Sequence, residues 1–373
     1  MKLNWKKEIM INIPIDSKNI KLRDTHIQKI YFRILRPLIR KRNSIPIVRI
    51  EYQLLNWIIL NIKDILIGDV STLRALISNY NNLLTSFPIV STFNYKKLTV
   101  KDLETILEEN NLNFRGNKKR AYQRYLLQNR TRITCLNHIL TIQYRDKFYE
   151  ILEEFFIKFY NDKWDKIKGY DRYFFVMNHN LQTCPYCNRN YIFTVNKKKN
   201  RLRPEIDHFY PKSIYPFLAM SFYNLIPCCQ ICNHTKKDKD AFKDNLKSPY
   251  EMNFFDFKFK YKPKNISFYQ INKNKYVEER FDIILNKTNS VETNDEYFKL
   301  NLLYEQHKDI VLDLLLKKTI YTKSYIKELK ENFKLKDDEI YRFLFCNYLK
   351  DEDLHKRPLS KLIRDISKDI GLI

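Results

Sequence analysis

Glycine is nearly absent from this chain: four residues in 373, where average usage would supply roughly 26. So few residues without a Cβ leave no Walker-type phosphate loop and no dinucleotide-binding fingerprint. Long apolar runs are missing as well. The best candidate, residues 54–67, is interrupted by Asn56, Asn61, Lys63 and Asp64, too polar for a membrane span. The first residues show no apolar core followed by a small-residue cleavage site, so the expectation is a cytoplasmic protein. Acidic residues are outnumbered, 43 against 68 Lys and Arg, which leaves a formal charge of +25. Such a field gathers polyanions and points to nucleic acid, although a Lys-, Asn- and Ile-rich composition also arises from genome base bias. The hydrophobic share of 44% excludes wholesale disorder, and the length suggests two or three domains.

Seven cysteines are an awkward number for a fully paired secreted framework, and five of them lie between residues 184 and 232. Cys135 and Cys346 stand apart. Cys184-Pro-Tyr-Cys187 and Cys229-Gln-Ile-Cys232 are two chelating knuckles, able to give four thiolates to one tetrahedral zinc with no open position. Cys228 is then the spare thiol. The long interval between the knuckles holds Glu205-Ile-Asp207-His208-Phe-Tyr-Pro211-Lys212 and Asn224-Leu-Ile-Pro-Cys228, and Asn233-His234-Thr-Lys236-Lys237 follows the second knuckle. An acidic residue beside a histidine, and an amide just after a knuckle, supply a hard-metal ligand, a base and a second ligand. Metal-assisted phosphodiester hydrolysis needs those parts. The pattern predicts a strand from Arg203 to His208, its partner from Asn224 to Cys228, and a polar helix from Cys232 to Lys247.

Over residues 171–250 the chain resembles the HNH endonucleases, in the zinc-bearing branch whose paired CxxC knuckles surround a ββα-metal core. The resemblance implies that Asp207 and Asn233 bind one Mg²⁺ or Mn²⁺, that His208 is the general base, and that Asn224 is the middle asparagine holding the loop after the first strand. Asn233 stands where many members have histidine, and His234 is the neighbouring alternative ligand. Lys212, Lys236 and Lys237, with the run Lys197, Lys198, Lys199, Arg201 and Arg203, are expected phosphate contacts. Glu205 either orients His208 or a lysine, or faces solvent. The segment from Asp207 to Ser213 is also similar to HNH effectors of bacterial anti-phage systems, of the Septu and retron-associated types. That implies a regulatory partner, often an ATPase sensor. A homing or restriction enzyme, and a non-catalytic zinc scaffold binding nucleic acid or protein, are the alternatives.

The flanks read as scaffold. Residues 1–90 form a helical N-terminal region, and Pro88 with the stretch 91–94 marks a break before a second helical region, 91–170. Within it, residues 98–127 are similar to a SAP-type helix–loop–helix. Thr99 would cap the first helix, Gly116 would turn the loop, and Lys118 and Lys119 would open the second helix. The resemblance implies docking to duplex DNA. Residues 251–373 read as a short β segment, where Phe255, Phe257 and Phe259 alternate with lysines, followed by C-terminal helices. The expected fold is mostly α, with a small zinc-stapled α+β core between helical flanks.

Overall fold

The computed structural model describes residues 12–87, 98–116, 118–129, 137–198, 200–253, 256–264 and 280–372. The break at Pro88 and 91–94, and Asn117, Cys135, Lys199 and Phe255, lie outside the described residues. The chain divides into two compact units. One comprises Met1–Gln28, Trp164–Pro211 and Phe222–Ile373, and the other Lys29–Lys163 and Lys212–Ser221. The fold is mostly helical, and the described residues form three two-stranded antiparallel sheets.

Among the described residues, the second unit holds helices and no strand. Helix α1 (Ser17–Asn43) enters it from the first unit, and α2 (Ile50–Leu60), α3 (Ile62–Ile67), α4 (Val70–Ser86), α5 (Val100–Glu109), α6 (Lys119–Gln128) and α7 (Asn137–Leu152) follow. The helical period of the sequence is the buried face: Leu54, Leu55, Ile58, Ile62, Ile65 and Leu66 are almost wholly enclosed. Phe217, from the returning segment, packs 4.8 Å from Tyr80 between ring centroids. In the α5–α6 hairpin Thr99 caps α5 as expected, through a reciprocal box with Asp102. Leu103, Ile106 and Leu107 meet Tyr122 and Leu126 in one cluster.

In the first unit α8 (Arg172–Asn178) precedes the hairpin β1 (Val195–Lys197) and β2 (Asn200–Leu202). Strands β3 (Glu205–His208) and β4 (Leu225–Cys228) and helix α9 (Gln230–Lys236) come next. Pro204 precedes β3, as a residue without a ladder donor should. Helix α9 is shorter than the pattern suggested, because Lys237 turns to φ 51 and stops it eleven residues before Ser248. The chain then forms β5 (Phe257–Pro263) and β6 (Phe281–Lys287), whose Phe257, Phe259, Phe281 and Ile283 are buried. The alternating aromatics of this region are therefore a half-buried sheet face. Helices α10 (Glu292–Phe298), α11 (Leu300–Tyr304), α12 (Lys308–Ile320), α13 (Lys323–Phe333), α14 (Asp337–Phe345) and α15 (Ser360–Asp369) complete the chain.

Helix α15 is fastened to β5 by buried charge. The Lys361 ammonium donates to Asp365 Oδ2 at 2.6 Å, the Phe259 N–H donates to the same oxygen at 3.0 Å, and both ionic side chains are fully enclosed. Arg364, also buried, pairs with Asp351. Burial pulls the Lys361 ammonium down to about 8. Between that pH and the ordinary lysine range near 10.4, the unfolded chain keeps a proton that the folded chain has released. This group's contribution to stability therefore rises with pH across that window. Urea unfolding at pH 7.5 and 9.5 should show the rise in the wild type and its loss in Lys361→Met. That variant should be less stable at both pH values, because the buried Asp365 loses the hydrogen-bond donor that Lys361 supplies.

Candidate functional site

The sulfurs of Cys184, Cys187, Cys229 and Cys232 all lie within 4.8 Å of one another, and all four residues are buried. Cys187 and Cys229 are 4.0 Å apart between sulfurs. Four sulfurs at the Zn–S length of about 2.3 Å sit roughly 3.8 Å apart at the corners of a tetrahedron, so the donor set fits one zinc. Main-chain and amide donors already point at it. The Arg189 N–H donates to Cys187 Sγ at 3.4 Å, and Asn190 Nδ2 donates to Cys229 Sγ at 3.4 Å. Burial pushes the Cys184 thiol well above its ordinary range, whereas hydrogen bonds from Cys184, Cys187 and Cys232 pull Cys229 far down. Cys228 faces no such cluster. It is paired with Glu205 across the ladder, fully buried, and burial pushes its thiol up, so it stays a packed apolar group.

The first knuckle is anchored on its far side. Asn188, at φ 48, donates through Nδ2 to the carbonyls of Leu354 and Arg357 and accepts from the Lys361 N–H. The Tyr304 hydroxyl donates to the Cys187 carbonyl at 2.6 Å.

The second knuckle opens α9, with Cys229 as its N-cap. This helix lies against β3, and two side-chain links join them. Asn233 Nδ2 donates to Glu205 Oε2 at 2.5 Å, and Lys236 Nζ donates to Asp207 Oδ1 at 3.2 Å. The spacing explains the pairing: residues two apart on a strand share a face, and residues three apart on a helix share one. Lys236 Nζ also donates to the His208 carbonyl at 2.9 Å. The other Asp207 oxygen accepts from the Tyr186 hydroxyl at 2.6 Å. Burial and the Asp207 charge push Tyr186 well above the usual phenol range, which keeps it a donor.

Asn224 locks the loop after β3. Its Oδ1 accepts from the Tyr210 N–H at 2.6 Å, its Nδ2 donates to the Tyr210 carbonyl at 3.1 Å, and its own carbonyl accepts from the Phe209 N–H. His208, immediately before this loop, pairs with Leu225 in the ladder and is 8% exposed.

Asp207, His208, Asn224 and Asn233 thus belong to one β3–β4–α9 element. The Asn233 carboxamide is turned to Glu205, while both Asp207 oxygens are taken up by Tyr186 and Lys236. His234 is an exposed neighbour whose Nε2 lies 3.5 Å from Glu205 Oε1.

The lysines separate. Lys236, expected at the surface, is instead fully buried, because its ammonium is taken up by Asp207 and the His208 carbonyl. Lys237 and Lys118 are exposed and Lys119 is half-buried. Lys212 belongs to the second unit, with Nζ 4.8 Å above the Tyr160 ring. Sequence reasoning missed Tyr186, since nothing in a CxxC spacing tells where the intervening hydroxyl points. Glu205 was left open, and its alternation with Asp207 was the signal that both face α9.

No family model matches the chain, and no solved structure matches it. A stretch of 45 residues, 12% of the chain, is 40% identical to the Septu protein PtuB of Bacillus thuringiensis. The chain spans 18% of that relative's length.

Metal analysis of the purified chain should find one zinc, and Cys229→Ser should lose it and melt on the order of 5 °C lower. Tyr186→Phe should keep the zinc but lower unfolding free energy by about 1.5–3 kcal/mol, the range for a buried hydrogen bond to a charged group.

Proposed function

We propose that this chain is a metal-dependent endonuclease of the HNH type that hydrolyses DNA phosphodiester bonds and acts as an effector of anti-phage defence. The observation that carries the reading is the β3–β4–α9 element. It sets Asp207 and His208 at the end of one strand, Asn224 on the loop beyond it, and Asn233 on the helix stapled by the four thiols. The similarity to the Septu protein PtuB supports the defence role. In this reading an ATPase or other sensor protein is the regulatory partner.

His208 takes the proton from the attacking water, and Lys236 fixes its main chain. Asp207 and Asn233 would hold the Mg²⁺ or Mn²⁺. When bound, the ion supplies stabilisation of the charge that grows on the scissile phosphate and the leaving oxygen. Tyr186 and Lys236 hold Asp207 in one orientation, so the ligand is preorganised by the thiol cluster beneath it. The +25 charge draws the polyanion to the surface.

Supercoiled plasmid with Mn²⁺ should be cut by the wild type, spared when EDTA is added, and cut about 10²–10⁴-fold more slowly by His208→Ala. Cleavage at an undiminished rate by His208→Ala would overturn the assignment of the base. A wild type that retains its zinc and leaves plasmid intact, with and without added phage-infected lysate, would favour the non-catalytic scaffold.

A further inference from the structure

Between the first knuckle and β3 the chain projects the hairpin β1–β2, in the register Val195↔Leu202, Asn196↔Arg201 and Lys197↔Asn200. Strand alternation sorts its side chains onto two faces. One face is tied down. Arg201 Nε donates to Asn196 Oδ1 at 3.0 Å, its Nη2 pairs with Asp171, and its guanidinium stacks 3.9 Å over the Tyr173 ring. Arg203 lies over the same ring.

The opposite face is left open to solvent and is apolar. Val195 and Leu202, partners across the ladder, are 39% and 64% exposed. Tyr191 and Phe193, which lead into β1, are 48% and 52% exposed, while Ile192 between them is buried. Their rings stack on each other at 4.4 Å between centroids and 21° between planes. Lys197 and Lys198 stand exposed at the tip.

A face of this kind needs a partner that is flat, aromatic and anionic. On the open side the exposed cations are Lys197 and Lys198, and no acidic residue occurs between 195 and 203, so an apolar protein surface would meet two lysines here. Nucleotides satisfy both halves of the demand, because each base presents a π-face and each linkage a negative charge. In a duplex those π-faces are covered by neighbouring pairs, which leaves unpaired nucleotides.

We infer that the outer face of β1–β2 binds an unpaired nucleic-acid strand, with Tyr191 and Phe193 stacking on bases and Lys197 and Lys198 meeting phosphates. This rests on the endonuclease reading for its role, since β2 runs into β3 through Arg203 and Pro204 and reaches Asp207 within five residues of Leu202. It adds the substrate class: a strand with exposed bases, as at a flap, bubble or single-stranded tract. The pinned inner face makes the arm a fixed platform, so the rings are preorganised for stacking.

The test is fluorescence anisotropy in the His208→Ala background without divalent metal, using a fluorescein-labelled 20-nucleotide single strand and the matching 20-base-pair duplex. Tyr191→Ala/Phe193→Ala should weaken single-strand binding about 10-fold or more, change duplex binding less than threefold, and leave the salt dependence unaltered. Lys197→Ala/Lys198→Ala should weaken both probes and make the salt dependence shallower. Zinc content and melting temperature equal to the parent's show that the arm variants are folded. Unchanged single-strand affinity in the aromatic variant would overturn the inference and leave the face to a protein partner. The binding is read without cleavage, so a wild type that cuts no plasmid would sink the endonuclease reading alone. Cleavage that depends on His208, beside an aromatic variant with parental affinity, would sink this inference alone.

Discussion

Four thiols in one small volume bring together two short turns of chain from either side of the β3–β4 pair. The knuckle turn at Cys184–Cys187 contains no regular strand, and α9 has only seven residues, fewer than an isolated helix needs to persist in water. Neither would keep its place by hydrogen bonding alone. Their sulfurs approach within 4.8 Å because both knuckles are buried against β3, β4 and the C-terminal segments. The donor set suits zinc, and an ion bound there would tie the two turns with a strength that no contact among so few apolar residues supplies.

From this cluster the order passes outward through single hydrogen bonds. Tyr186 stands between two of the cysteines and reaches Asp207; α9 starts at a third cysteine and carries Asn233 and Lys236 to Glu205 and Asp207. The carboxylates of β3 are thus fixed from two directions by elements that share one anchor. Burying Asp207 and Lys236 together costs desolvation, and the hydrogen bonds from Tyr186 and to the His208 carbonyl offset it. The arrangement favours one geometry of these side chains over looser alternatives.

Much of this was legible in the residues themselves. Two CxxC pairs imply that their sulfurs meet, since a spacing of two residues suits chelation and little else. Alternation and Pro204 marked β3, and the helical period marked the faces that bury Leu54, Ile58 and Ile62. The capping box at Thr99 was equally readable, because caps depend on residues three apart. What escaped were facts that depend on distant chain. The end of α9 at Lys237, where φ turns to 51, carries no glycine to mark it in the sequence. The burial of Lys236 depends on Asp207 lying opposite, 29 residues away. The division into two units, each stitched from separate stretches, leaves no trace in a linear pattern of hydrophobicity.

The bonds of Asn188 have a temporal side. Its carboxamide is satisfied by Leu354, Arg357 and Lys361, partners 166 to 173 residues further along the chain. On a ribosome those residues emerge about 10–30 s after the knuckle they brace, at ordinary rates of synthesis. Until then the turn bearing Cys184 and Cys187 lacks the backing that Asn188 gives it. The first knuckle therefore acquires this bracing only once the C-terminal helices have been made.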